Sequence, residues 1–586
     1  MGILFEETET GVGSETEAGT LGAQEITSIN VKPQRRVYLH ESCFFQKIMG
    51  MIVPKAKGQI RAAIKLIQLR PSMLILISCL LLFVTTLALV LLRVLQPNAR
   101  YAWLVAAGGA LLAMISVFVW LTQMPFDLIL PAWQPVTLFM TPILFRADGV
   151  SWVLAMSVVA LTLSVMLTSV TRQVFVNSLS WAGMLALGGM GILAATANNP
   201  LTLLLVWASV DLVELFSQLS SVEGEANNER VVISFSTRAF GIGLLIWANI
   251  LSIAGGSTFD FQSMPANAGI FLVIAAGLRL GVYPLHLPYS AESVLRRGFG
   301  TGLRLVGAVA SLSVLGHVQI LPTNFTPFLI FLAIVVAIYG GWMWLRAPDE
   351  LNGRPYWVIG VSSLAILSAL SGNPIGVAAW SSALVLVGGA LFLASVQNLW
   401  LIRAMLVGAW SLSSLPFSLT AGAWLGSLGW FLPLVIVAQG LIVAGFVRHA
   451  LRPAGRDSLE SQPGWTRIAH PAGIGLLLVF QLLLGWVGWD GALQVGAWLQ
   501  AIIASLLTVG LVWAARRFRV FNPVRAHWVT TAESRLNSLY QGFWSLYRGL
   551  ARISQAIIVT LEGEGGVMWT LLFLVLFISL LSQGIR

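Results

Sequence analysis

Cysteine is almost missing from this sequence. Cys43 and Cys79 are the only two, which excludes a cysteine-ligated cluster and a disulfide framework, so no redox centre, metal site or other cofactor is implied. Charge is scarce as well, at 10% of residues against 57% hydrophobic. A chain with a mean hydropathy of +0.84 carries more apolar surface than one soluble core can hide, and lipid has to cover the rest. Lysine stops early: Lys32, Lys47, Lys55, Lys57 and Lys65 are all there are. A phosphate-cradling glycine loop and His/Glu pairs at metal-ligand spacing are also lacking, which leaves no enzyme signature and points to a non-redox membrane component. The net charge of +10 does not indicate nucleic acid, because the cations are scattered between apolar segments, as membrane flanks are. The first thirty residues, with Glu6, Glu7, Glu9, Glu15 and Glu17, are acidic and polar. They read as a disordered tail and resemble no cleavable leader.

What is present is apolar sequence in stretches of membrane-crossing length. About 17 to 25 residues cross the hydrocarbon layer at 1.5 Å per residue, and such stretches recur from Met73 onward. They are continuously apolar instead of alternating, so they read as helices and not as barrel strands. About sixteen spans are expected, at 73–95, 102–124, 151–170, 181–198, 201–219, 238–255, 267–287, 300–321, 325–346, 356–371, 374–397, 403–423, 427–448, 469–488, 494–515 and 567–583. The expected fold class is therefore an all-α polytopic membrane protein of about 14 to 16 transmembrane helices. Three regions follow: a polar tail at 1–70, a transmembrane body at 71–515, and a segment at 516–586 combining a lateral or amphipathic helix with a final span. Residues 59–70 and 528–558 place apolar and basic groups at helical spacing, the pattern of helices lying in the membrane interface and equally of ordinary connecting helices.

Loop charge gives an orientation. Arg100, Arg172, Arg230, Arg296, Arg297, Arg346, Arg354, Arg448, Arg452, Arg456 and Arg467 follow odd-numbered spans, whereas Arg146 is nearly alone after even-numbered ones, so the odd loops face the cytoplasm. An even span count then puts both termini outside. The basic segment from Lys47 to Arg70 argues the other way, and an extra or a missing span stays open.

Three segments carry a family likeness. FRADGVSW, Phe145–Trp152, stands just before the third span, with Asp148 and Gly149 as a turn pair. RLGVYPLHLP, Arg279–Pro288, closes the seventh; Pro284, Leu285 and His286 follow Arg279 by five, six and seven residues. A proline there breaks the helix and frees a carbonyl, which a membrane tolerates only where backbone meets a cavity. LPFSLTAG, Leu415–Gly422, lies in the twelfth span and contains Pro416 and Gly422. Together they resemble the antiporter-like proton-channel subunits of respiratory complex I (NADH:quinone oxidoreductase) and the related Mrp-type cation/proton antiporters. The resemblance covers about half of the chain, and within the second segment the family's Trp-Leu pair is absent.

The resemblance implies about fourteen core helices with two inverted five-helix repeats, each holding a broken helix near the midplane. It also implies a relay of buried lysines paired with a glutamate, and here the sequence departs from the family. The key lysine position is Arg279, which stays charged and cannot pass on a proton. The family's glutamate follows a tryptophan, whereas Trp207 is followed by Ala208; Asp211 and Glu214 come three and six residues later, close to one helix face. An Asp211–Arg279 ion pair is expected as a shifted version of the family pair. Arg304 occupies a position where the family often has a titratable histidine or lysine, and Gly426 stands where the twelfth span has a lysine. The candidate proton path is thus Asp211, Glu214, Arg279, His286 and Arg304, with His286 able to exchange protons near neutrality or to serve as a structural hydrogen-bonding group.

What the likeness implies is a membrane subunit of a complex I related assembly, either conducting protons through a modified relay or serving as a structural version whose channel has decayed. Its partners would be other membrane subunits, lipids and protons or other cations, in an energy-transducing membrane such as the bacterial inner membrane. A free-standing cation/proton antiporter, or another inverted-repeat secondary transporter, is the alternative.

Overall fold

The computed structural model describes residues 72–96, 102–130, 142–171, 178–219, 225–256, 260–287, 297–318, 320, 322–396, 398–424, 428–451, 459–487 and 495–518, with isolated positions 545 and 552. These fall within the unit Ile67–Arg586. The tail at 1–70, the last span at 567–583, Pro288, Gly426 and, apart from the two isolated positions, the lateral helix expected near 528–558 lie outside the described residues.

Helix dominates because a backbone amide unpaired in lipid is costly, and a helix pairs all of its own. In chain order the long helices are α1 Met73–Leu95, α2 Ala102–Val119, α3 Gly149–Thr168, α4 Ser178–Thr196, α5 Pro200–Leu219, α6 Glu225–Ala254, α7 Ala266–Leu280, α8 Arg297–His317, α9 Thr326–Arg346, α10 Glu350–Leu370 and α11 Pro374–Leu393. Two short ones follow, α12 Leu399–Met405 and α13 Val407–Ser411, then α14 Leu432–Ala450, α15 Thr466–Val487 and α16 Val495–Phe518. Eleven of the described helices are long and apolar enough to cross a bilayer, and the chain is an all-α polytopic membrane protein.

Packing separates inner helices from outer ones. Helices α3, α8 and α11 are buried along nearly their whole length. Helix α8 sits at the middle, against α3, α4, α5, α7, α10 and α11. By contrast α1 and α2 expose Val84, Leu87, Leu111 and Ile115, the apolar face that a bilayer or a neighbouring subunit covers.

The structure departs from the sequence-based expectations at several points. A two-stranded antiparallel hairpin, β1 Phe126–Leu130 with β2 Ile143–Ala147, precedes α3 and sets Asp127 opposite Arg146. Its strands are too short to carry a clear alternating signal beside long apolar runs. The seventh span stops at Leu280 instead of reaching residue 287, and the twelfth is no continuous helix: after α13 the chain turns through residues 412–424. Helix α10 begins at Glu350, because the Asp349 carboxylate accepts the Asn352 amide. Arg354 therefore lies inside α10, fully buried and donating to Thr301 Oγ1 at 3.1 Å; it is not a loop cation.

Asp148 caps α3. Its Oδ1 accepts the Ser151 amide and hydroxyl, both at 2.8 Å, and its Oδ2 lies 3.7 Å from His317 Nδ1 at the end of α8. Replacing Asp148 with Ala is expected to cost about 1 kcal/mol, the usual worth of an N-cap. Thermal unfolding in detergent checks this, and an unchanged midpoint would show that the cap adds nothing.

Candidate functional site

Helix α5 supplies the acids. Trp207, Asp211, Glu214 and Gln218 recur every three or four residues, so they share one face. That face is buried, while Leu205, Leu212 and Phe216 on the other are exposed. Burying two carboxylates among helices is unfavourable unless each finds charged, well-aligned donors. Three arginines from three other helices provide them.

Arg279 stands in the last turn of α7, where the partial negative charge of the helix end favours a cation. Its Nη1 and Nη2 donate to the two Asp211 oxygens at 2.7 Å each, the bidentate geometry that a guanidinium allows and an ammonium does not. Its Nε donates to Ser311 Oγ of α8 at 3.1 Å, and Nη1 also reaches the Arg238 carbonyl at 3.2 Å. The Trp207 ring lies 4.3 Å from the guanidinium carbon, and the ring is itself held by Nε1 donating to the Ala310 carbonyl at 2.7 Å. Gly241 of α6 makes room for the arginine stem, since a Cβ there would come 2.7 Å from Arg279 Cγ. The expected Asp211–Arg279 pair is thus present in the structure.

Glu214 gathers the other two arginines. Arg238 of α6 donates through Nη1 to Glu214 Oε2, and its Nε lies 4.0 Å from Asp211 Oδ1. Arg304 of α8 donates to Glu214 Oε1 at 3.1 Å, and Gln218 donates to the same oxygen at 2.7 Å. Asp211, Glu214, Arg279 and Arg304 therefore come together as one cluster, and each of these side chains is at most 2% exposed. A small cavity lies against it, lined by Glu214, Arg238, Arg279, Arg304, Gly307 and Ser311 among others.

Arg238 is the member that sequence reasoning missed. Reading the sixth span as starting at residue 238 makes it a membrane flank; α6 starts at Glu225, so Arg238 is well inside the helix. The available signal was an arginine within a segment whose apolar character runs from Val231.

The helix break after Arg279 matches the proline signal. Gly281 adopts φ +79°, closing α7 in the left-handed conformation that glycine takes without strain. The Val282 amide then returns to the Gly277 carbonyl at 2.7 Å. Pro284 and His286 lie in this turn. His286 Nδ1 is 2.8 Å from the Pro284 carbonyl, and its buried Nε2 has no hydrogen-bond partner among the described residues. Among the described residues, no hydrogen bond or ion pair joins His286 to the charged cluster.

The second break, at 412–424, is built differently. Pro416 and Gly422 lie in it, and Ser414 and Phe417 carry φ of 58° and 63°, strained values for non-glycine residues. Neutral side chains take up the freed backbone. Gln439 Nε2 donates to the Leu412 carbonyl at 2.8 Å and to Ser414 Oγ at 3.0 Å. Thr420 Oγ1 donates to the Ser411 carbonyl at 2.8 Å, and Asn373 Nδ2 donates to the Gly422 and Ala423 carbonyls at 3.1 and 3.0 Å.

No protein-family model matches the sequence, and no curated protein matches it either. Solved structures do share the fold. A chain in the structure of the Mrp complex from Dietzia sp. DQ12-45-1b aligns with a TM-score of 0.61 at 14% identity, covering 87% of this chain and 63% of that one; this chain thus spans less than two thirds of that neighbour. A chain of the membrane-bound sulfane sulfur reductase, an archaeal respiratory membrane complex, aligns with a TM-score of 0.61 at 15% identity over 86% of this chain and 99% of that one. A chain of respiratory complex I from Thermus thermophilus gives a TM-score of 0.52 at 18% identity over 70% and 98%. The class that these likenesses define is one of fold: a polytopic membrane chain similar to chains of Mrp and complex I related assemblies.

Proposed function

We propose that this chain is an ion-translocating membrane subunit of a multi-subunit assembly related to complex I and Mrp, in which the cluster of Asp211, Glu214, Arg238, Arg279 and Arg304 handles charge inside the bilayer. The observation that carries the reading is the cluster itself. Ionisable groups are expensive within a membrane and persist there where they serve a pathway, and five of them are gathered in this cluster between helices, beside a broken one. Arginine does not release a proton, so any proton step falls to the two carboxylates, with the guanidiniums as fixed positive charge. The fold similarity to chains of multi-subunit membrane complexes supports a life among other membrane subunits.

A structural subunit with a closed path is the second reading. It is favoured by the neutral amide and hydroxyl network around the break at 412–424. Proton flux into vesicles reconstituted with the purified chain and its copurifying partners separates the two. Replacing Asp211 with Asn is expected to slow flux about tenfold or more, the effect of about 1.4 kcal/mol on a limiting step. Equal flux in the two proteins would leave the structural reading.

A further inference from the structure

We propose that the cavity between α6, α7 and α8 is a binding site for a small monovalent anion of chloride size. The inference rests on reading the cluster as an ion-handling centre, and its test is direct binding, separate from transport.

The walls of the cavity point to this ligand class. Among the described residues, Arg238, Arg279 and Arg304 line it with one carboxylate, Glu214, while Asp211 is not among the lining residues. Both Asp211 oxygens are taken by the two Nη atoms of Arg279. The Glu214 oxygens are likewise occupied, by Arg238, Arg304 and Gln218. The three guanidiniums give the enclosed space a positive field. A low-dielectric surround strengthens that field beyond what water would allow.

A donor is also available. Arg279 has five N–H groups, and four of them reach Asp211, Ser311 and the Arg238 carbonyl. One hydrogen on Nη2 is left to offer. Size narrows the ligand further. The cavity has a volume of about 10 Å³, room for one particle near the size of water. Chloride and bromide are single atoms only slightly larger than a water and enter with a small shift of the lining side chains, whereas phosphate, sulfate and organic acids exceed the space outright. Glu214 on the wall opposes an anion, so affinity in the millimolar range is expected.

Gly307 gives the site a means of testing. A Cβ added there would stand 3.4 Å from Glu214 Oε2, an ordinary contact, so Gly307→Ala occupies cavity space without forcing the helices apart. Radioactive chloride binding to the purified full chain in detergent, with gluconate as the only other anion, is the experiment. Wild type is expected to bind about one chloride per chain saturably, with bromide competing and gluconate not. Gly307→Ala is expected to weaken binding tenfold or more while the unfolding midpoint stays near wild type. Arg304→Gln, which removes one charge from the wall, should also weaken chloride binding, at some cost in stability because it strips Glu214 of one donor. Wild type without saturable chloride binding overturns the proposal, as does undiminished binding in Gly307→Ala. Loss of proton flux with chloride binding intact would bear on transport alone.

Discussion

Replacing Glu214 with Ala is expected to be among the most damaging single changes in the molecule, lowering stability by about 3–5 kcal/mol, the cost of stripping a buried ion pair of one partner. The size follows from what the carboxylate serves: it accepts from Arg238, Arg304 and Gln218 at once, and with only 2% of it exposed it is shielded from bulk solvent. Two guanidiniums would then lose their shared acceptor inside the helix bundle. Glu214→Gln keeps one acceptor oxygen and the shape, so it should recover part of the loss. Unfolding in detergent, followed by far-ultraviolet circular dichroism, would show the order wild type, Gln, Ala; equal midpoints for Ala and wild type would mean that the arginines find other acceptors and that the cluster is not held by Glu214.

The second large effect lies at the second break. Gly485 of α15 faces the loop of the second break, and a Cβ there would come 2.5 Å from the Phe417 carbonyl oxygen and 2.9 Å from the Ser418 carbonyl carbon. Both are backbone atoms, in a stretch already fixed by the positive φ of Ser414 and Phe417 and by bonds from Gln439 and Thr420. Nothing there can rotate aside as a side-chain tip would. Overpacking of this kind costs about 1–3 kcal/mol, so Gly485→Ala should lower the unfolding midpoint clearly. Gly475 on the same helix has nothing within 4 Å of its Cβ position. Gly475→Ala should therefore be neutral or raise stability by up to about 1 kcal/mol through helix propensity. If the two alanines behave alike, close backbone contact at the second break is not what Gly485 provides.

Much of this architecture is legible in the sequence because lipid imposes a length. The starts of α1, α2, α5 and α9 fall within a residue or two of the apolar runs that announce them. Hydropathy fails where a helix outruns the bilayer or breaks within it. Helix α6 begins in the polar residues Glu225–Glu229, which a hydropathy window reads as loop, and this hid Arg238. Residues 412–424 are apolar enough to pass for helix, and only their backbone angles and the side chains bonded to their carbonyls reveal a break.

The site divides in the same way. Asp211 and Glu214 share a face by local spacing, and the proline marks the break beside Arg279, but the Asp211–Arg279 pair spans 68 residues and its expectation rests on the family resemblance. The partnership of Glu214 with Arg304 spans 90 residues, and no local periodicity encodes it. His286 shows the converse. Its position in the motif is kept, yet its ring bonds the neighbouring Pro284 carbonyl and not the cluster.

The most direct test of the charged cluster as an ion-handling centre removes its principal pair without leaving a lone charge. Asp211→Asn combined with Arg279→Gln replaces both members of the bidentate pair by neutral groups of similar shape, a change that buried pairs often tolerate. Proton flux should be measured in vesicles holding the double variant, after its unfolding midpoint has been matched to wild type. A folded protein with flux reduced about tenfold or more is the predicted result; a folded double variant that carries protons at the wild-type rate would contradict the account.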